Sequence, residues 1–296
     1  YGDHRDLHYP LRRQRQMCIR DRFKYIRNYM PHRPNGQHLA YLWKAASVRS
    51  WQKTCQQGLC NPNQQRFWQT RQAEELYDTT NDPWEVNNLA NDPTFHYQLT
   101  SMRKDLQATN RYYKDVGFIP EGELIERTKT ITGSELVRKS SFPIDLVIET
   151  AEIASLADPK NLSLLIKRLS HTEAVVRYWA AVGCSILKSQ SMPAKTALIE
   201  RLDDTSADVK IAAAEALSYL GAEDKALAAL MLQLNHPSAM VRIHAANVLD
   251  AIGSKAKPVA NELQIMVNSM QQLKKEGKLP DENYLLTALS YTVSKF

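Results

Sequence analysis

Small and apolar residues recur with a single spacing in three segments of the second half of the chain. Val176, Val209 and Val241 start these segments, 33 and then 32 residues apart. From each valine, a stripe of mostly small or apolar residues continues at the third, fourth, seventh, eighth and eleventh positions, which share one face of a helix. These positions hold Trp179, Ala180, Gly183, Cys184 and Leu187, then Ala212, Ala213, Ala216, Leu217 and Leu220, then His244, Ala245, Val248, Leu249 and Ile252. The pattern predicts three equivalent helices.

A shorter apolar segment precedes each of these helices, at residues 161–169, 193–202 and 224–234. Gly221 and Gly253 follow two of the longer helices, where a glycine commonly ends a helix. A helix pair that repeats at a fixed period buries its stripe only against its neighbours, so the pairs stack into a solenoid. The segments resemble HEAT repeats. We therefore predict an all-α, HEAT-like helical solenoid over residues 119–296, with degenerate or capping repeats at its flanks.

A basic residue follows each aligned valine, as in HEAT repeats: Arg177, Lys210 and Arg242. We expect these side chains to bond to helix ends and neighbouring loops rather than to an anionic partner. His244 takes the stripe position of Trp179, which predicts a core or half-buried histidine rather than one that binds a ligand.

The first half of the chain has strand and helix patterns in turn. Residues 23–30 alternate, with Phe23, Tyr25, Arg27 and Tyr29 on one side, which predicts a strand. Residues 39–58 fit a helix, residues 75–77 a short strand, and Asp92-Pro93 the start of a helix that runs to about residue 116. We therefore predict an α+β unit over residues 23–118, built of a small antiparallel sheet with two helices, ahead of the solenoid.

Residues 1–22 hold six arginines and no hydrophobic face that fits a helix or a strand. Codons chosen for these residues spell a flow-cell adapter of short-read sequencing, a sample index and a transposase-type library adapter in one unbroken frame. We interpret the segment as translated adapter and expect it to be irregular and poorly packed. Native sequence then starts near Phe23, and an upstream part of the natural protein is expected to be missing.

This interpretation halves the basic excess of the chain. The sequence has 38 Lys and Arg against 32 Asp and Glu, and six of the basic and three of the acidic residues lie in residues 1–22, so the net charge falls from +6 to +3. So small an excess is no argument for a nucleic-acid partner. No apolar run approaches the roughly 20 residues of a membrane span, so none is expected.

Three cysteines remain once Cys18 is assigned to the adapter, and that number fits neither a disulfide framework nor a metal cluster. Cys55 and Cys60 can pair in an oxidising compartment or stay unpaired, and the third is Cys184.

Residues 75–93, ELYDTTNDPWEVNNLANDP, carry the most specific motif of the chain. Their E-L-Y-D, short turn, D-P-x-E and N-L-A resemble the C-terminal signature of the sulfatase family. RFKYIRNYMPHRP, at residues 22–34, resembles the strand that opens the small C-terminal subdomain of arylsulfatase-like and sulfamidase-like members. The resemblance covers about residues 23–118. It implies hydrolysis of sulfate esters or sulfamates on glycans, with a formylglycine nucleophile and a calcium ion that polarises the sulfate.

The chain departs from that family at the catalytic residues. In the family, formylglycine is made in a Cys/Ser-x-Pro-x-Arg motif, and no cysteine of this chain stands in one. The paired-Asp metal motif and the catalytic Lys and His motifs are absent as well. We therefore expect no catalytic residue, metal ligand or cofactor here, and an inactive C-terminal fragment whose intact parent, a bacterial hydrolase, holds calcium and formylglycine.

Within the signature, Asp78 and Asp82 are expected to fix the turn through side-chain to backbone bonds. Tyr77 and Trp84 are expected to pack against the missing catalytic sheet, and their unit to expose an apolar patch there.

The loop at residues 31–38 holds the candidate site. By resemblance, the small subdomain borders the active-site cleft, and His32 with the fork-shaped Arg33 suits sulfate or carboxylate groups on a sugar. We predict that these two residues bind substrate in the intact enzyme, with His38 nearby. Alternatively, they fix the loop by bonds to backbone carbonyls.

Two functions remain open from the sequence: a fragment of a sulfatase acting on sulfated glycans, and a non-enzymatic HEAT-repeat module that binds a protein partner. The resemblance implies a periplasmic or extracellular location.

Overall fold

A computed structural model describes residues 15–279 and 283–296 of the chain. Within these ranges a small antiparallel sheet is followed by a long series of paired helices. The predicted order, an α+β unit followed by helical repeats, is confirmed.

Three strands form the sheet: β1 at Arg15–Arg20, β2 at Phe23–Asn28 and β3 at Glu74–Asp78. Both strand pairs are antiparallel, and β2 lies between the other two. The expectation that residues 1–22 are irregular is wrong for β1, whose Arg20 also reaches Asp105 at 2.7 Å. An edge strand pairs through backbone N–H and C=O groups, which nearly any sequence supplies. Residues 1–14 lie outside the described residues.

The two predicted helices of the first unit are present as α1 at Ala46–Gln56 and α3 at His96–Tyr113, and a short helix that was not predicted, α2 at Pro62–Gln65, lies between them in the chain. Helix α3 packs on one face of the sheet. Five buried side chains form that core: Tyr25, Leu76, Leu99, Met102 and Leu106.

Tyr77 lies inside the first unit, so the expectation that it packs against a missing sheet is wrong. It is buried in β3, where its hydroxyl donates to Glu75 and accepts from Arg66. Trp84, by contrast, is 85% exposed. The turn between them is fixed as predicted: Asp78 accepts from the backbone N–H groups of residues 80 and 81, and Asp82 from that of residue 87.

Cys55 and Cys60 form a disulfide between α1 and α2, which settles the alternative that the sequence leaves open. The bond closes a loop with a sequence separation of only 5, so its effect on the entropy of the unfolded chain is small.

We expect Cys55→Ser/Cys60→Ser to lower the free energy of unfolding by about 2 kcal/mol, measured by urea unfolding. Reductant should lower the wild-type value equally and leave the double variant unchanged; equal values for both proteins without reductant would contradict this.

Eleven helices follow in the described residues. They are α4 at Glu121–Arg127, α5 at Gly133–Arg138, α6 at Ile144–Ser155, α7 at Leu162–Arg168, α8 at Ala174–Leu187, α9 at Lys195–Glu200, α10 at Ala207–Leu217, α11 at Glu223–Gln233, α12 at Ala239–Ile252, α13 at Ala260–Lys275 and α14 at Asn283–Val293. The predicted short and long helices are therefore present as α7 with α8, α9 with α10, and α11 with α12. Gly221 and Gly253 have φ of +65° and +60°, as expected for glycines that end helices.

The predicted stripe is buried in all three long helices, with His244 half-buried as expected. Two of the three basic residues behave as predicted at the helix ends, whereas the Lys210 side chain makes no hydrogen bond or ion pair within the described part of the chain. Arg177 donates to the carbonyl oxygens of residues 171 and 172, and Arg242 to those of residues 236 and 237. The sequence did not reveal the partner that Arg177 has in addition, the buried carboxylate of Asp204.

The first unit rests on the long helices of the solenoid, and a continuous apolar core joins the two. Tyr29, after β2, contacts the rings of Phe118 and Trp179, and the Trp179 indole donates to the Phe118 carbonyl at 2.8 Å. In α4, a Cβ at Gly122 would lie 2.3 Å from the Asp208 carboxylate, so only glycine allows this approach of α4 to α10. The loop at residues 31–38 is thereby set against the solenoid.

Candidate functional site

Arg71 holds the backbone of the loop that contains His32 and Arg33. Its backbone N–H donates to the Pro31 carbonyl at 2.8 Å, and its guanidinium donates to the carbonyls of Arg33 and Met30. The alternative role considered for His32 and Arg33, fixing the loop through its own carbonyls, thus belongs to Arg71. The side chains of His32 and Arg33 point instead toward α10.

Arg33 forms an ion pair with Glu215 of α10, across 182 positions of the chain. Its Nη2 lies 2.5 Å from Glu215 Oε2, and only 5% of the Glu215 side chain is exposed. Burial alone would raise the pKa of Glu215, but the Arg33 charge overrides it and lowers the pKa to about 2. Glu215 is therefore a carboxylate at neutral pH, and it anchors the loop to the solenoid.

His32 lies beside this pair without a hydrogen bond to it. Its Nε2 is 3.6 Å from Glu215 Oε1, beyond hydrogen-bond range, and its side chain is 7% exposed. Burial and the neighbouring Arg33 charge lower the pKa of His32, so the ring is neutral at pH 7. Glu215 Oε1 and His32 Nδ1 have no hydrogen-bond partner among the described residues. A ligand outside the protein would therefore meet Arg33, which is 15% exposed, before His32.

A groove of about 590 Å³ opens on one side of Arg33, where the two units meet. The loop, α1 and the segment after it form one wall, and α12 with the end of the chain forms the other. His38 stacks on Tyr291 of α14, with ring centroids 3.8 Å apart, and the Lys295 ammonium lies 4.2 Å from the Tyr291 ring centre. Burial lowers the pKa of His38 to about 4, so its ring is neutral. We name this space the interdomain groove.

A smaller cavity of about 160 Å³ lies on the other side of Arg33, between α4, α8, α10 and α12. There His244 Nδ1 is 2.7 Å from Asp208 Oδ1, while Asp208 Oδ2 accepts from the backbone N–H of Glu123. The half-buried His244 thus joins two repeats and the α4 segment.

The structure brings His32, Arg33 and His38 to one edge of the solenoid, but it adds partners that were not predicted. Glu215 and Asn247 stand at the sixth position after an aligned valine, just outside the predicted stripe. The repeat makes these positions equivalent, and both residues face the first unit beside Arg33. A polar residue at that position was the signal that sequence reasoning could have used.

The part of the chain that the structure describes contains no group of three His, Cys, Asp or Glu residues able to hold a metal ion. None of its helices is long and apolar enough to cross a membrane.

Comparison with known proteins finds similarity in the second unit. The family model of HEAT repeats matches residues 147–218 and 195–269, which include α7 to α12. A curated relative, the ulvan-active sulfatase of Formosa agariphila, is 31% identical over 164 residues, covering 55% of this chain and 27% of that protein. The aligned part of the chain thus spans about a quarter of the relative's length. No solved structure matches the chain.

Proposed function

We propose that this chain is the C-terminal part of a sulfatase that acts on a sulfated glycan, with the HEAT repeats as a scaffold behind the sulfatase subdomain. The observation that carries the proposal is the similarity to a curated sulfatase together with the signature at residues 75–93. The structure of the signature supports it, since β3 and its aspartate-fixed turn form a compact unit on β2. The substrate class follows the name of the relative, which is active on ulvan.

The described residues do not fit a calcium site, and no cysteine lies in the formylglycine motif. Both groups therefore belong, on this proposal, to a part of the enzyme upstream of Phe23. What this chain supplies is substrate positioning and stability, and no step of the reaction is assigned to its residues. Because the chain is similar to a sulfatase, we also propose a periplasmic or extracellular location. The Cys55–Cys60 disulfide agrees with an oxidising compartment.

The source DNA tests this proposal directly. We expect the reading frame to continue upstream of Phe23 into a Cys/Ser-x-Pro-x-Arg motif, and the complete protein to release sulfate from ulvan. Replacing the Cys or Ser of that motif by Ala is the control and should abolish release. A stop codon just upstream of Phe23, or a frame without the motif, would refute the proposal.

Arg33 is the residue of this chain that we propose to contact the substrate, with His32 supporting it from behind. Arg33→Ala alone would leave Glu215 buried without its partner, so a loss of activity could reflect misfolding. The double variant Arg33→Met/Glu215→Met removes the cation and keeps the buried contact uncharged. In the complete enzyme we expect it to raise KM for ulvan about tenfold, the loss of one charge-assisted contact, with kcat nearly unchanged.

Glu215→Met combined with Arg33→Lys, which restores a cation in the same place, is the matched control and should recover most of the affinity. Unchanged KM in the Arg33→Met/Glu215→Met variant would show that Arg33 serves the packing of the loop and not the substrate. His32→Asn tests the second residue in the same assay, and we expect a smaller effect because its side chain is nearly buried.

A second candidate function is a HEAT-repeat module that binds a protein partner, favoured by the match of HEAT repeats to residues 147–269. The long helices α8, α10 and α14 contact the first unit of the same chain, and α12 lines the interdomain groove opposite it, so much of that face is already covered. A free-standing module would have to use the opposite face. An upstream frame with a degenerate formylglycine motif would favour this candidate.

A further inference from the structure

The interdomain groove has the size and position of a ligand site. Its volume of about 590 Å³ falls within the range of pockets that hold small molecules, and such pockets often lie where two domains meet. Neither the sulfatase signature nor the HEAT stripe includes its solenoid wall, which holds Asn247 and Ala251 of α12 with Tyr291 and Lys295 near the end of the chain. The wall therefore needs an explanation of its own.

Side-chain amides dominate the polar lining of the groove. They come from Gln37, Gln52, Gln56, Gln65, Gln69 and Asn247. An amide both donates and accepts hydrogen bonds, as does each hydroxyl of a sugar, so an array of amides suits a saccharide better than an ion or an apolar ligand.

Some of these amides are engaged in building the groove, and others are available to a ligand. Gln52 accepts from the Trp43 indole and donates to the Tyr291 hydroxyl, which ties α1 to α14. The side chains of Gln56 and Asn247 are exposed and make no hydrogen bond to another residue in the described ranges. Gln52 thus gives the groove a fixed shape, while Gln56 and Asn247 leave donors and acceptors free at its surface.

Charge alone does not select among saccharides. Two cationic side chains line the groove, and each is paired with a carboxylate, Arg33 with Glu215 and Lys295 with Asp250, both at 2.5 Å. His38 adds no charge because burial keeps its ring neutral. The guanidinium and the ammonium keep further N–H donors that suit sulfate or carboxylate oxygens, and the acidic character of the ligand is taken from the proposed sulfatase function.

We propose that the interdomain groove binds an acidic oligosaccharide, and that the solenoid residues Asn247, Tyr291 and Lys295 form one wall of this site. On this proposal the HEAT-like repeats take part in glycan recognition as well as supporting the first unit. The ligand class rests in part on the proposed sulfatase function, while the groove and its lining do not.

The test uses the full chain and two probes, an ulvan octasaccharide and its chemically desulfated form, in isothermal titration calorimetry. Ala251→Trp places a bulky ring on the exposed groove wall of α12, and Ala228→Trp makes the same change at an exposed helix position of α11 away from the groove. We expect Ala251→Trp to weaken binding of the sulfated probe at least about tenfold, and Ala228→Trp to leave it within about twofold.

Lys295→Gln should weaken the sulfated probe several-fold and the desulfated probe little, because it removes a charge and keeps a donor. Absence of binding by the wild-type chain would overturn the proposal. So would equal affinities of Ala251→Trp and Ala228→Trp, since the probe would then bind elsewhere, and so would equal affinity for both probes.

The outcomes separate this proposal from the proposed function. Binding that depends on Ala251, with no formylglycine motif upstream, would retain the groove as a lectin-like site and refute the sulfatase. Release of sulfate by the complete enzyme, with no binding by this chain, would retain the sulfatase and refute the groove.

Discussion

Glu215→Gln is expected to lower the free energy of unfolding at pH 7 by about 3 kcal/mol, because it leaves the nearly buried Arg33 without its counter-ion. The side chain keeps its size, so the loss reports the charge and not a cavity. Urea unfolding followed by circular dichroism measures it. The variant Arg33→Met/Glu215→Met is the control, and we expect it to lose much less, since neither charge is left without a partner.

The effect of Glu215→Gln should depend on pH in a defined direction. The folded protein lowers the pKa of Glu215 from its ordinary 4.5 to about 2, so the unfolded chain binds the proton first as pH falls. The stabilisation is then complete above about pH 4.5 and is lost between pH 4.5 and 2. We expect the difference between wild type and Glu215→Gln to shrink over that window. A difference below about 1 kcal/mol at pH 7, or one that is constant with pH, would contradict the ion pair described here.

Arg177→Met is expected to destabilise the protein by about 3–5 kcal/mol, the largest single effect that we foresee in the solenoid. The guanidinium donates to both carboxylate oxygens of Asp204 at 2.7 Å, and the Asp204 side chain is 2% exposed. It also donates to the carbonyl oxygens of residues 171 and 172 before α8. Methionine keeps the aliphatic packing and leaves a buried carboxylate without its partner.

The repeat supplies a matched control for Arg177→Met. Lys210 has the same position in the next repeat and is half-buried, and its side chain makes no hydrogen bond or ion pair to another residue in the described part of the chain. We expect Lys210→Met to change the free energy of unfolding by no more than about 0.5 kcal/mol. If Arg177→Met and Lys210→Met lowered the free energy of unfolding by similar amounts, the loss would come from replacing a basic residue at this helix position and not from breaking the Asp204 ion pair.

Unfolding measured at low pH should separate the two contributions of Arg177, its ion pair with Asp204 and its hydrogen bonds to the carbonyl oxygens of residues 171 and 172. Burial would raise the pKa of Asp204, but hydrogen bonds from Arg177 and the Ser206 backbone lower it below its ordinary value. The stability that depends on this carboxylate is therefore present above its ordinary pKa and lost as pH falls below it. The deficit of Arg177→Met should shrink in acid, leaving only the part that comes from the backbone carbonyls.

Much of the fold could be predicted because it depends on periodicity within short segments. The stripe after Val176, Val209 and Val241 needs a helix to lie on one face, and the alternation over residues 23–30 needs a strand. The turn at Asp78 and Asp82 follows from side chains that bond to their own backbone neighbours. In each case the interacting residues are close in sequence, so composition and spacing carry the information.

The prediction was wrong at β1, where pairing through backbone groups leaves little trace in the side chains. Tyr77 was misplaced for a related reason. Its position in β3 was right, but alternation does not show that Arg66 and Glu75 bury its hydroxyl inside the same unit. A strand pattern tells which residues share a face, and the elements that pack on that face decide what the face contacts.

The sequence by itself determined the paired helices, the small sheet, the buried stripe and the resemblance of residues 75–93 to a sulfatase signature. Only the tertiary structure decided that Arg33 pairs with Glu215, that Gly122 allows α4 to approach α10, and that Tyr291 closes a groove against His38. The physical reason is that a helical repeat fixes the direction of its side chains locally. The partner that meets them depends on how the units pack, and residues as far apart in the chain as Arg33 and Glu215, 182 positions, share no local pattern.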